Sequence, residues 1–138
     1  MAKNGDNIAA LATPPGIGAL AIIRISGPDL SKIFNKLTNI DIPEDRRAFF
    51  TNIFCLKSKK ILDNGIVIYY MSPRSFTGED LIEINCHGGE YMPKAILNSL
   101  YGYGIRPANP GEFSYRAFMS GKVDLVQAES ISELISSK

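Results

Sequence analysis

The sequence contains no tryptophan, one histidine and two cysteines in 138 residues. A protein-held zinc needs three or four ligands, and a lone histidine argues against such a centre. Cys55 and Cys86 cannot build a disulfide framework and fit reduced thiols of a cytosolic chain. An excess of one charge is also missing, since 15 Lys and Arg face 14 Asp and Glu. Near neutrality excludes capture of nucleic acid by the whole surface, because that attraction grows with the phosphates neutralised. Long hydrophobic runs are absent too. The longest, Pro14 to Ile23, carries two prolines and two glycines, whereas a membrane span needs about 20 apolar residues. The first residues lead into no signal-peptide core, so no membrane contact and a cytoplasmic location are expected.

What is present suits a globular domain. Hydrophobic residues make up 45% and charged residues 21%, which excludes a disordered chain. A chain of this length buries roughly two thirds of its unfolded surface, enough for a core without disulfides. Residues 1–69 hold nine Lys/Arg against six Asp/Glu, and residues 70–138 hold six against eight. The difference reads as a mixed solvated surface.

The hydropathy pattern predicts the elements. Ile8 to Ala12 is a short apolar run. Thr13 to Gly18 must turn, because its prolines and glycines cannot continue a ladder. Ala19 to Ile25 is apolar at nearly every position and predicts a strand buried on both faces. Ser26-Gly27-Pro28-Asp29 opens a helix, with Leu30, Ile33, Phe34 and Leu37 forming its apolar stripe. Ala48 to Leu56 and Gly65 to Met71 read as two strands of a hairpin, joined through Lys57 to Lys60 and Asp63-Asn64-Gly65. Pro43 to Arg47 is a polar connection, and Ser72 to Gly78 is a loop. Asp80 to Cys86 is a strand, Met92 to Leu100 a helix and Ile105 to Ala108 a short strand, and Pro110-Gly111-Glu112 starts a short helix through Met119. Phe113, Tyr115 and Phe118 are expected in the core. Asp124, with Gln127 three residues on, caps a last helix that has no stop signal. The chain is therefore expected to be part of a longer polypeptide, with residues 1–120 as one domain and 121–138 beginning another. The expected fold is α+β, a layered domain with a mixed, mostly antiparallel sheet and packed helices.

Some motifs tempt and fail. Gly16-x-Gly18-x-x-Ala21 matches a dinucleotide fingerprint, yet a strand follows it where a helix N-terminus must face the pyrophosphate. Gly121-Lys122 resembles the end of a phosphate loop, but Val123 stands where Ser or Thr must hold magnesium. Cys86 and His87 are adjacent on a strand and point to opposite faces, so they do not form a nucleophile and base. No catalytic residue and no metal ligand is assigned.

Charges inside apolar strands are the sharper signal. Arg24 shares a face with Ile22 and Ser26, and Glu83 shares one with Leu81 and Asn85. A buried charge is costly unless paired. Two accounts remain open and are compatible. One is a cross-strand ion pair. The other is a pocket for a polar heterocycle, in which the carboxylate accepts from an amino-pyrimidine edge and the guanidinium donates to a carbonyl or carboxylate. Lys122, beside the permissive Gly121, is either solvated or close to a ligand.

Several strings together are specific. Ile8-Ala9-Ala10-Leu11-Ala12-Thr13-Pro14-Pro15-Gly16, Ile23-Arg24-Ile25-Ser26-Gly27, Ser75-Phe76-Thr77-Gly78-Glu79-Asp80 and Cys86-His87-Gly88-Gly89 closely resemble the N-terminus of the MnmE (TrmE) family of tRNA-modification GTPases. So do Pro110-Gly111-Glu112-Phe113, Arg116-Ala117-Phe118 and Gly121-Lys122-Val123-Asp124-Leu125. The resemblance covers essentially the whole chain. It implies a domain similar to the folate-binding domain of aminomethyltransferases, binding 5-formyl-tetrahydrofolate or a related reduced folate and forming a homodimer. It carries folate binding onto Arg24, Glu83 and Lys122. It further implies a GTPase domain, with GTP, magnesium and potassium, outside these residues, so that this chain alone does not hydrolyse GTP. A flavoprotein partner, MnmG (GidA), would join a heterotetramer that adds a carboxymethylaminomethyl-type group to C5 of the wobble uridine, position 34, of tRNA. The alternative is an assembly module whose folate pocket has decayed.

Overall fold

Alternating apolar residues draw the strands of this chain into one layer, with two of its helices closing over the apolar face. The computed structural model describes residues 6–16 and 18–121. Among them the elements run β1 (Ile8–Leu11), β2 (Leu20–Gly27), α1 (Ser31–Thr38), β3 (Ala48–Phe54), β4 (Ile61–Tyr70), β5 (Asp80–His87), α2 (Tyr91–Gly102), β6 (Arg106–Pro107) and α3 (Glu112–Met119). The strands form a six-stranded sheet in the order β3-β4-β5-β2-β1-β6. The β1–β6 pair is parallel and the other neighbouring pairs are antiparallel. The expected mixed, mostly antiparallel α+β architecture is what forms. The helix expected from Asp124, and the boundary near residue 121 that it marks, lie outside the described residues, as does Ile17 of the first turn.

One face of the sheet carries the core. Ala21, Ile23 and Ile25 of β2 and Ile82, Ile84 and Cys86 of β5 point to it, as do Val67 and Tyr69 of β4. The apolar stripe of α1 (Leu30, Ile33, Phe34, Leu37) and Ile96 and Leu100 of α2 close over these residues. Each of the isoleucine, leucine, valine and phenylalanine side chains among them, taken fully out of water, contributes about 1.5–3 kcal/mol. Tyr69 ties the layers together. Phe34 meets its ring edge-on at 5.5 Å, its hydroxyl donates to Asp80, and it accepts the Leu30 amide at 3.2 Å.

The structure corrects four expectations. First, β2 is not buried on both faces. Ala21, Ile23 and Ile25 are buried, but Leu20 is exposed and Ile22 and Arg24 are only half-buried, because among the described residues no helix packs over this part of the second face. Second, Asp63-Asn64-Gly65 is not a turn. It lies inside the ten-residue β4, and the hairpin reverses at 55–60, where the Lys59 amide donates to the Cys55 carbonyl at 2.9 Å. Gly65 serves close strand approach there, since a Cβ on it would stand 2.0 Å from the Asn85 carbonyl oxygen. Third, α1 starts at Ser31 rather than at Pro28, because Asp29 turns back to accept from the Ser31 amide at 3.0 Å.

The fourth correction concerns α3. Phe113, Tyr115 and Phe118 are only half-buried, whereas Glu112, Ser114, Arg116 and Ala117 are buried. An ion network, not an aromatic stripe, docks this helix. Finally, no described helix is long and apolar enough to cross a membrane.

Candidate functional site

The sheet face opposite α1 and α2 holds the site. Register places Arg24 directly across from Glu83, with Ala10 beyond on β1 and Ile68 on β4. Arg24 Nε donates to Glu83 Oε2 at 3.3 Å. Their side chains are 37% and 18% exposed, so the pair is neither sealed in the core nor loose in solvent. A pair this wet contributes about 0–1 kcal/mol, too little for stability alone to explain two charges among isoleucines. The sequence-derived pair is therefore brought together. Lys122, the third expected folate residue, lies outside the described residues.

Above the pair opens a cleft of about 430 Å³ lined by Arg24, Glu83, Leu81, Tyr70, Ser75, Phe76, Arg46 and Arg74. This size falls within the range of small-molecule sites. Phe76 lies under the Arg24 guanidinium, 6.0 Å from its ring centroid, and Tyr70 carries Arg46 at the same distance. Burial pushes the Tyr70 phenol up, and the Glu83 charge adds to this, while Arg46 and Arg24 oppose it. Tyr70 is therefore a neutral hydroxyl at physiological pH, flanked by charges of both signs.

The loop that brings Phe76 to the cleft is fastened from below. Ser26, two residues after Arg24 on the same face of β2, donates to Glu79 Oε1 at 2.8 Å and bonds the Thr77 hydroxyl at 2.7 Å. Arg116 of α3, almost wholly buried, donates to Glu79 Oε1 at 2.9 Å and to Asp6 Oδ1 at 2.6 Å. It also meets Glu112 one turn back at 3.3 Å. Arg106 completes the network on Asp6 at 2.7 Å and Glu112 at 2.6 Å. Hydrogen bonds from Arg106 hold the Asp6 carboxyl below its ordinary value. Burial pushes Glu112 up, but Arg106 and the Asn109 amide outweigh it and leave the group lowered. Thus α3 clamps the 75–79 loop over β2.

Tyr70, Phe76, Arg46 and Arg74 were not singled out from sequence as site residues. Phe76 stood inside a quoted motif, so a signal existed. Arg46 lies in the segment that reads as a polar connection, and the bridge between Asp45 and Tyr69, with the Met71 amide on Asp45, brings that segment to the cleft. His87 has a separate, positioning-type arrangement. Its ring Nδ1 meets Asp63 Oδ1 at 2.7 Å and its amide donates to Asp63 Oδ2 at 2.9 Å, while Cys86 faces the core.

A family model described as "GTP-binding protein TrmE N-terminus" matches residues 7–122. The chain belongs to this family. Relatives carrying the name tRNA modification GTPase MnmE include one from Alkalilimnicola ehrlichii, 49% identical over 93% of this chain and 28% of that protein. One from Chlamydia caviae is 48% identical over 98% of this chain and 30% of that protein. One from Fervidobacterium nodosum is 48% identical over the same shares. The chain thus spans less than a third of the length of the curated relatives it matches.

Proposed function

We propose that this chain is the folate-binding and self-associating N-terminal part of a tRNA-modification GTPase, and that the cleft on the open sheet face receives a reduced folate such as 5-formyl-tetrahydrofolate. The observation that carries this reading is the Arg24–Glu83 pair on the floor of a cleft of about 430 Å³. A pterin presents an amino-pyrimidine edge with adjacent N–H donors. Glu83 offers an ionised acceptor for that edge, and Arg24 offers donors to a ring or formyl oxygen. Phe76 and Tyr70 supply apolar walls for a planar ring system. Lys122 is assigned to the same ligand through the family resemblance. The folate, when bound, supplies a one-carbon unit, and the chain's own residues bind and orient it.

Self-association is supported by the same face. Phe50 and Ile66 are 77% and 41% exposed, and Ile66 pairs with both Phe50 and Asn85, which in turn faces Ile22, so Phe50, Ile66 and Ile22 lie along one row of this face. Contiguous exposed apolar surface of this kind marks an interaction site. A second copy of the chain covering it would bring the cleft to the dimer interface. The longer polypeptide would then hydrolyse GTP in a domain beyond these residues. With the flavoprotein MnmG (GidA) it would install a carboxymethylaminomethyl-type group at C5 of the tRNA wobble uridine, in the cytoplasm.

The test is calorimetric titration of the chain with 5-formyl-tetrahydrofolate, paired with sedimentation. Binding to a dimer, lost in Glu83→Gln while the dimer persists, is the expected result. A dimer that binds no folate at millimolar concentration favours a pure assembly module and overturns the folate reading.

A further inference from the structure

The cleft is chemically lopsided. Three guanidinium groups line it against one carboxylate, Glu83. Arg24 is matched to Glu83. Arg74 is matched to Asp45, whose Oδ2 accepts from Nη2 at 2.7 Å. Among the described residues, Arg46 has no carboxylate partner and rests only against the Tyr70 ring at 6.0 Å.

Arg46 is nonetheless held firmly. Its backbone sits in the left-handed region at φ 63°, a conformation that costs energy in a non-glycine residue unless its surroundings enforce it. The Arg46 amide donates to the Tyr69 carbonyl at 2.7 Å. The preceding Asp45 bridges to Tyr69 and accepts the Met71 amide on Oδ1 at 2.8 Å. Asp45 therefore fastens the segment to the end of β4 and draws Arg74 to the same rim. With its backbone so held, the Arg46 side chain reaches the cleft over the Tyr70 ring, while the Arg24 guanidinium lies over Phe76.

We propose that Arg46, supported by Arg74, is a subsite for the carboxylate end of an elongated ligand, so that the cleft selects a folate bearing an anionic glutamate tail over a neutral-tailed pterin. This inference rests on the folate reading. It adds that the molecule lies with its heterocycle on Arg24 and Glu83 and its carboxylates toward Arg46. A guanidinium without an internal partner gives its full donor set to an incoming carboxylate, and charge-assisted bonds of this kind are about twice as strong as neutral ones.

The test compares 5-formyl-tetrahydrofolate with its glutamate bis-amide, which has the same shape and neutral ends. Both are titrated into the wild-type chain and into Arg46→Gln. The wild-type chain is expected to bind the acid about tenfold or more tightly than the bis-amide, the usual scale for a charged hydrogen bond. In Arg46→Gln that preference is expected to fall to about threefold or less, with bis-amide affinity unchanged. Equal affinity of the wild-type chain for acid and bis-amide overturns the subsite and leaves the folate reading standing, and that comparison needs no variant. Equal weakening of both ligands in Arg46→Gln makes the residue a structural prop and also overturns the subsite. Binding of neither ligand to the wild-type chain overturns the folate reading, and the subsite with it.

Discussion

Arg24 and Glu83 occupy paired positions on antiparallel strands, and their side chains meet at 3.3 Å on the sheet face opposite α1 and α2. Two opposite charges in this position do little for stability, and this separates their two possible duties. Arg24→Gln and Glu83→Gln are each expected to change unfolding free energy by less than about 1 kcal/mol. Each is expected to weaken 5-formyl-tetrahydrofolate by about tenfold or more. Urea unfolding and calorimetry on the same samples check both halves. A large stability loss with unchanged folate affinity would return the pair to a purely structural role.

Arg116 presents the opposite case. It is nearly sealed from solvent and satisfies Asp6, Glu79 and Glu112. Arg116→Ala leaves Glu79 without its cationic partner and Asp6 and Glu112 with Arg106 alone, and losses of this kind are on the order of 3 kcal/mol. Lys at this position is expected to rescue little, because one ammonium cannot reproduce the guanidinium fork. The urea midpoint reads both variants.

The same network sets an acid limit. Asp6 and Glu112 both have lowered values in the fold, against ordinary values of 3.8 and 4.5. A depressed carboxyl binds its proton less readily folded than unfolded, so its stabilisation is complete above the unfolded value. It is lost as the pH falls through the folded value. Thermal unfolding should therefore be flat just above pH 5 and fall steeply below about pH 4. In Arg116→Ala the slope should be shallower, because less of the depression remains.

The two thiols should separate cleanly. Hydrogen bonds from the Ser58 side chain and amide, with one from Ser99, lower Cys55 to about 6. Burial, reinforced by the Asp63 charge, raises Cys86 to about 11. Alkylation of the folded chain by iodoacetamide at pH 7 should modify Cys55 and spare Cys86, since the thiolate is the reacting form. Peptide mapping after a short pulse gives the answer, and equal labelling would contradict this placement of the thiols.

Gly65 tests the strand correction. Because a Cβ there would meet the Asn85 carbonyl at 2.0 Å, Gly65→Ala must separate β4 from β5 or bend one of them. Overpacking of this sort costs about 1–3 kcal/mol. Had Asp63-Asn64-Gly65 been a free turn, the substitution would be nearly neutral.

Much of this was legible from residue order. The stripe Leu30, Ile33, Phe34, Leu37 repeats at helical spacing and is buried as expected, and the charges at Arg24 and Glu83 were visible as violations of strand pattern. What escaped depends on neighbours distant in the chain. Gly65 reads as a turn locally, yet its role is set by Asn85. Half-burial of Ile22 reflects that no described helix packs over it, which no strand pattern reveals. The aromatic residues of α3 promised a core face, but the partners that decide its orientation, Asp6 and Glu79, lie far away in sequence. Arg46 is the sharpest example, since only the docking of Asp45 on β4 carries it to the cleft.

The most direct test of the central claim is a crystal structure of the chain grown with 5-formyl-tetrahydrofolate. Density for the pterin is expected in the cleft beside Phe76, within hydrogen-bonding reach of Glu83 and Arg24. Folate density elsewhere, or a well-ordered empty cleft at millimolar ligand, would contradict the account.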